Sequence, residues 1–345
     1  MDTVRYLNAK NQLWAKTSFG SCNDIPVSEI WYRGEARSQT EHRTIHRKSI
    51  RGWLANDYNS VTTKAQMPGL LVAKIVWINK DFAKNQFLPT ADILYEILLA
   101  FGLNSAYTYS RTAFAGIASI PCHDADTAEI LHAYSFCYHP KLTLIWSRHK
   151  TTNLIQAVCF SGEEQMSQFK QILDCGWQFA DQDMMLAFLC SLLLSTEVDL
   201  TECAIKDEVR GVEARTGYHR WENRREHPAE GDLADLSAKI SGCATKMASC
   251  TRKLKVIREL NSFIVDQIQD KPVVHSLLVP ISPGISSSTT SKILLLENVK
   301  LVESRVTMQN IDTEFFLNRI ESQLRAVSSQ SINTSYSILS NTLFC

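Results

Sequence analysis

One apolar seam constrains this chain more than any other feature. It runs Leu233, Leu236, Ile240, Cys243, Met247, Cys250, Leu254, Ile257, Asn261, Ile264 and Ile268, stepping three and four residues in strict alternation. A repeat of that kind places every member on one stripe of an α-helix. Asn261 is its one strongly polar member. At 1.5 Å of rise per residue the helix is ~55 Å long, more than the diameter of a small domain. The chain is therefore expected to build a rod beside any globule, with residues 230–270 as a single helix.

The length, 345 residues, allows two domains. Lys plus Arg equals Asp plus Glu at 36 each, so net charge gives no global reason to bind nucleic acid or an anionic membrane. Ten cysteines are scattered with no C-x-x-C pair, which reads as reduced thiols and not a disulfide scaffold. The opening Met-Asp-Thr-Val-Arg has no apolar core, and no signal peptide is expected. The most apolar run, residues 184–195, is far shorter than the ~20 residues a spanning helix needs, so a buried helix is expected there. These readings make a cytoplasmic protein with no membrane span of its own.

Residues 1–65 mix aromatic and basic side chains without long apolar runs and read as an irregular N-terminal region. Arg43, His46, Arg47, Lys48 and Arg51 read as a solvated basic loop. From Gly69 the pattern changes. The stretch to Asn79 is rich in Val, Ile and Trp and reads as a buried strand. Residues 90–102 read as a helix, capped by Thr90 and stopped by Gly102. Residues 113–120 and 133–139 read as strands, 142–147 and 154–160 as a hairpin, and 163–175 as a helix. Residues 66–180 are thus expected to form an α/β domain.

Residues 181–327 read as a long-helix bundle. Helices are expected at 184–195, around Ile205 to Thr216, and along the long seam. Small residues such as Ala234, Ala238, Gly242 and Ala248 flank that seam and admit close neighbours. Lys239, Lys246 and Lys253 recur every seven residues on one flank and are expected to face acidic residues or water. Residues 280–291, rich in Ser, Pro and Gly, read as a flexible linker. A second seam follows: Leu295, Val299, Val302, Val306, Gln309, Thr313, Phe316, Ile320, Gln323 and Val327. Residues 328–345 lose the pattern and read as a disordered tail. The expected fold class is α+β, an N-terminal mixed α/β domain followed by an antiparallel coiled-coil-like stalk. Helix packing is assigned to Leu233, Leu236, Ile240, Met247, Leu254, Ile257 and Ile264 on the first seam. On the second it falls to Val302, Val306, Phe316 and Ile320.

No motif marks an enzyme: G-x-G-x-x-G, a Walker loop and H-E-x-x-H are all missing. Cys122, His123, Asp124, His132, Cys137 and His139 cluster in sequence, yet their spacing matches no zinc pattern, and they read as scattered structural residues. Arg220, Trp221, Arg224, Arg225 and His227 read as a polar loop, with an anion site as the alternative. Glu297, Glu303, Asp312, Glu314 and Glu321 are spread around the second helix, so only weak Mg²⁺ binding through carboxylates and water is expected. No cofactor is expected.

The stretch Glu213-Ala-Arg-Thr-Gly-Tyr-His-Arg-Trp-Glu-Asn-Arg-Arg-Glu resembles a family of fungal proteins related to the CorA magnesium transporters. So do residues 232–249, and Lys300-Leu-Val-Glu-Ser-Arg-Val-Thr-Met-Gln-Asn-Ile-Asp-Thr-Glu-Phe resembles that family's stalk helix. The resemblance covers roughly residues 140–325. It implies an α/β domain carrying long helices, the last running toward membrane helices, with five subunits around a pore. The sequence departs from that plan in lacking a membrane helix and the Gly-Met-Asn signature; Met308-Gln309-Asn310 is a different tripeptide. What the resemblance implies is a CorA-like cytosolic domain, cut short of the membrane and unable to conduct ions itself. Its role would be in regulation or assembly, with itself or a full-length CorA-like relative as partner. The alternative is a stand-alone helical protein–protein interaction module unrelated to transport.

Overall fold

The computed structural model describes residues 3–10, 17–32, 38–55, 70–123, 130–149, 152–216, 232–270 and 288–343. In chain order the elements are α1 (Thr3–Lys10), β1 (Ser18–Cys22), β2 (Asp24–Tyr32), β3 (Gln39–His46), α2 (Arg47–Ala55), β4 (Leu70–Asp81) and β5 (Gln86–Pro89). Then come α3 (Ala91–Ala100), α4 (Asn104–Ser110), β6 (Ala115–His123), β7 (Ile130–Tyr138), β8 (Leu142–Arg148), β9 (Ile155–Ser161) and α5 (Glu163–Leu173). Three long helices complete the chain: α6 (Met185–Thr216), α7 (Asp232–Asp270) and α8 (Ser288–Leu343). This is the expected α+β class, a mixed sheet followed by long helices.

The sheet has nine strands among the described residues, in the order β1-β5-β4-β9-β8-β7-β6, with β2 paired to β4 and β3 to β2. β4 and β9 are parallel, as are β1 and β5; the remaining pairs are antiparallel. β4 and β9 read as near-continuous apolar runs because both faces of the sheet are covered. On one face Val76, Ile78, Ile145, Val158 and Phe160 join Ile93, Leu94, Ile97 and Leu98 of α3 in a single core. On the other, Trp77 meets Phe169 of α5 at 5.6 Å, and Tyr134 stacks on Trp146 at 5.3 Å. Gly102, at φ +64, ends α3 where an L side chain would be strained.

The described part of the N-terminal region is not irregular. β2 lies in the sheet interior between β3 and β4, and β3 is an edge strand. The strand signal was hidden for two physical reasons. β2 buries Ser28 and Glu29, which breaks its apolar alternation, and β3 buries only Ile45. The basic cluster is not a loop either. It spans the end of β3 and α2, where Arg43 binds Glu29, Arg47 binds Asp92, and Arg51 binds Glu96 at 2.5 Å. Two of these pairs fasten α2 to α3.

The helices expected at 184–195 and 205–216 are one helix, α6. The intervening Ser-Thr-Glu-Val-Asp-Leu-Thr reads as a break because it is polar, yet it contains neither Gly nor Pro. α8 begins within the segment read as a linker and runs to Leu343, through residues read as a disordered tail.

The chain divides into two compact units, residues 1–193 with 259–299, and residues 194–258 with 300–345. The first holds the sheet and the adjoining stretches of the three long helices. There Tyr134 meets Phe263 of α7 edge-on at 6.2 Å, and Gln182 Nε2 donates to Ser291 Oγ of α8 at 2.7 Å. The second is a three-helix bundle. Its pairs Glu197–Lys253, Glu208–Lys246 and Arg215–Asp235 run in opposite senses along α6 and α7. Its pairs Asp199–Arg305, Glu202–Thr313 and Thr216–Gln323 rise together along α6 and α8. So α7 is antiparallel to α6, and α8 is parallel to it.

Candidate functional site

In the bundle unit the seam residues Leu233, Leu236, Ile240, Met247, Leu254, Ile257, Val302, Val306, Phe316 and Ile320 are all buried; Ile264 is buried in the sheet unit. Val212 and Val327 close one apolar cluster with Leu233 and Leu236. Asn261 is also fully buried, and its Oδ1 accepts from Ser191 Oγ at 2.7 Å.

The polar members of the second seam do not face solvent or another copy. Gln309, Thr313 and Gln323 are buried against polar residues of α6. Gln309 Nε2 donates to the Ser195 carbonyl at 2.9 Å and to Asp199 Oδ1 at 2.7 Å, and Ser195 Oγ donates back to its Oε1 at 3.2 Å. Thr313 Oγ1 donates to Glu202 Oε1 at 2.6 Å, and Thr216 Oγ1 to Gln323 Oε1 at 2.7 Å. Arg319 makes a two-point bond to Glu213, at 2.9 and 2.5 Å. The period of the second seam places these three residues in the sequence but not their partners on α6, because no period in α6 announces them.

Two of the three periodic lysines of α7 meet acids of α6: Lys246 binds Glu208 at 2.5 Å and Lys253 binds Glu197 at 2.8 Å. Lys239 binds Asp235 of its own helix at 3.0 Å. Lys246 holds the Glu208 carboxyl below its ordinary range, with Cys243 as a second donor. The Cys243 thiol donates to Glu208 Oε2 at 3.1 Å, and burial first, then that carboxylate, pushes it up to about 12. Burial likewise raises Glu202, with Asp312 and Asp199 adding repulsion and Thr313 opposing.

α8 carries a second apolar row that the sequence reading did not single out. Leu301, Met308, Ile311 and Phe315 are 69%, 66%, 62% and 56% exposed. With Ser304 they also step three and four, on the side of the helix away from the buried seam. Arg319 lies over the Phe315 ring at 5.4 Å. The signal was legible: a helix with two such rows has two apolar faces, and the bundle covers one.

The described members of the Cys/His segment are not assembled into a site. Cys137 is buried, bonded to Ser135 and to the Ser110 carbonyl, and burial pushes its thiol up to about 11. His132 bonds Ser119 at 2.9 Å, His139 packs edge-on against Phe114, and Cys122 bonds the Ile120 carbonyl of its own strand. The His123 side chain and Asp124 lie outside the described residues, as do Arg220, Trp221, Arg224, Arg225 and His227. Among the described residues no group of three or more His, Cys, Asp or Glu side chains is placed to hold a metal ion. Glu314 accepts from Asn310, and Glu321 from Arg325.

One further chain of polar groups has the composition of a hydrolytic triad. Trp77 Nε1 donates to Ser28 Oγ at 2.7 Å, Ser28 bonds His42 Nδ1 at 2.6 Å, and His42 Nε2 bonds Asp174 at 3.0 Å. Ser28 is fully buried, so its oxygen meets no substrate. The chain instead links β2, β3, β4 and the end of α5. Beside it, Glu29 accepts from Trp53 Nε1 at 2.6 Å, and the buried Lys74 donates to the Trp53 carbonyl at 2.9 Å. That carbonyl lies in the last turn of α2, where a cation is favoured. No helix among the described residues is long and apolar enough to cross a membrane.

No family model matches the chain, and no curated protein sequence does. Among solved structures the chain is similar to the crystal structure of the ZntB cytoplasmic domain from Vibrio parahaemolyticus RIMD 2210633. The TM-score is 0.44 at 10% identity, covering 88% of this chain and 98% of that one. It is also similar to the structure of the full-length CmaX protein, with TM-score 0.43 at 11% identity, covering 92% of this chain and 82% of that one.

Proposed function

We propose that this chain is the cytoplasmic part of a CorA-like divalent-cation transporter system, acting in assembly or regulation and peripheral to the membrane through its partner. Two things support the reading. The stretches at 213–226, 232–249 and 300–315 resemble that family, and the fold they imply, a mixed sheet followed by long helices, is the one adopted. The observation that carries the assembly role is the outer row of α8. An exposed apolar row on a helix whose other face is already buried marks a contact surface.

Sedimentation velocity across protein concentration tests this. The expected result is concentration-dependent self-association, abolished by Met308→Lys together with Ile311→Lys. A chain that stays monomeric at the highest concentration overturns the assembly role.

A further inference from the structure

The outer row of α8 has one apolar member whose chemistry can be altered in place. Met308 lies at the middle of the row, between Ser304 and Ile311. Methionine suits a contact surface because its unbranched thioether adapts to what it meets. The sequence holds seven methionines. Of the five that are described, Met184, Met185 and Met247 are buried, Met166 is half-buried, and Met308 is exposed. A water-borne oxidant therefore reaches the sulfur of Met308 before the other four.

With a peroxide the step is a single oxygen transfer. The sulfur lone pair attacks one peroxide oxygen, and the S–O bond forms as the O–O bond breaks. The proton of the transferred oxygen leaves with the departing hydroxide as water. The thioether is oxidised to a sulfoxide and the peroxide is reduced. An apolar tip thereby becomes a polar hydrogen-bond acceptor. Facing solvent, it is hydrated; inside a helix contact, it needs a donor. Leu301, Ile311 and Phe315 have none in their side chains. The Ser304 hydroxyl already donates to the Lys300 carbonyl at 3.1 Å, and the Thr307 hydroxyl beside the row to the Glu303 carbonyl at 2.9 Å.

We propose, resting on the assembly reading, that Met308 is a site of oxidation by peroxide and that its sulfoxide switches association off. Oxidation acts on the dissociated chain, where the sulfur is open to solvent. The sulfoxide then withdraws that chain from the assembly by mass action. In the free chain the sulfoxide stays hydrated, so the fold is kept. The change is reversible, because methionine sulfoxide reductases return the thioether.

Hydrogen peroxide is the probe, applied to the full chain in mildly acidic solution. Thiols are protonated and slow there, while a thioether has no proton to lose. Peptide mass spectrometry follows each methionine, and sedimentation equilibrium follows association. The sulfoxide should form at Met308 first and weaken association roughly tenfold, the effect of one buried acceptor left without a donor. A pair of reductases, one for each sulfoxide epimer, should restore it. Met308→Leu sets its own baseline, which peroxide should not move. Met308→Gln should associate as weakly as the oxidised chain without any peroxide. Oxidation at Met308 no faster than at Met247 overturns the site. Full oxidation at Met308 with association unchanged overturns the switch and leaves the assembly reading standing. So does a loss of association that Met308→Leu shares, or one that accompanies a lowered melting temperature. A wild-type chain that never associates overturns the assembly reading and the switch with it.

Discussion

Gln309 on α8 and Ser195 on α6 satisfy each other twice, the amide donating to the serine carbonyl and the serine hydroxyl donating to the amide oxygen. Both residues are buried. Hydrogen bonds at such a position contribute modestly when made and cost more when one partner is left alone. The pair also fixes which residue of α8 lies beside which residue of α6, a registry that apolar layers alone leave loose.

Removing one partner is therefore expected to cost more than removing both. Gln309→Leu should destabilise the chain by about 1–3 kcal/mol, since Ser195 loses its partner in a dry layer. Ser195→Ala with Gln309→Leu should cost less than the sum of the single changes. Urea unfolding of the four proteins measures the coupling. Strict additivity would show that the two residues do not act as a pair.

Leu254 tests the apolar seam. It is buried at a seam position of α7, in the bundle unit. Truncating a buried Leu loses its transfer free energy and leaves a cavity, so Leu254→Ala should cost about 2–5 kcal/mol. A midpoint shift in urea worth less than about 1 kcal/mol would mean that the neighbouring helices collapse onto the gap.

The seam of α7 was legible because eleven residues repeat without a slip and a helix is the one structure that puts them on one face. The strands from β6 to β9 were legible for the same kind of reason, since runs such as Leu144, Ile145 and Trp146 are apolar and β-favouring. β2 was not, because Glu29 looks like a surface residue until Trp53 and Arg43 are seen to bind it. The continuity of α6 was hidden by Ser195, Asp199 and Glu202, whose partners lie more than a hundred residues away on α8. Periodicity finds faces, but it does not find polar partners. For that reason the buried seam of α8 was visible in the sequence, while the identity of the helix it packs against was not.

Glu202 and Glu208 should give the bundle opposite responses to pH. Burial raises Glu202, so the unfolded chain ionises first. Its contribution is full below the ordinary value of 4.5 and is lost as pH rises through the folded value. Glu208 is lowered by Lys246, so its contribution is present above 4.5 and lost as pH falls. Glu202→Gln, which keeps an acceptor for Thr313, should raise the melting temperature at pH 7 and lose that advantage near pH 4. Glu208→Gln should lower it at pH 7 and converge with wild type in acid. Thermal melts from pH 4 to 8 measure both. The same sign for the two variants at pH 7 would contradict the assignment.

Thiol reactivity should separate the surface from the bundle interior. Cys175 and Cys203 are exposed, whereas Cys137, Cys159, Cys190 and Cys243 are buried. The thiolate is the reactive form, and burial pushes Cys159 up to about 12 and Cys190 well above its ordinary value. Cys243 is raised to about 12 by burial and then by Glu208, which accepts its proton in a hydrogen bond. At pH 8 an alkylating reagent should therefore modify Cys175 and Cys203 first and leave Cys243 protected until the bundle opens. Glu208→Gln removes the carboxylate but not the burial, so Cys243 should stay slow in the folded variant and become fast in denaturant. A time course read by peptide mass spectrometry decides it. Modification of Cys243 as fast as Cys203 in the native protein would show that the α6–α7 contact around Glu208 opens readily.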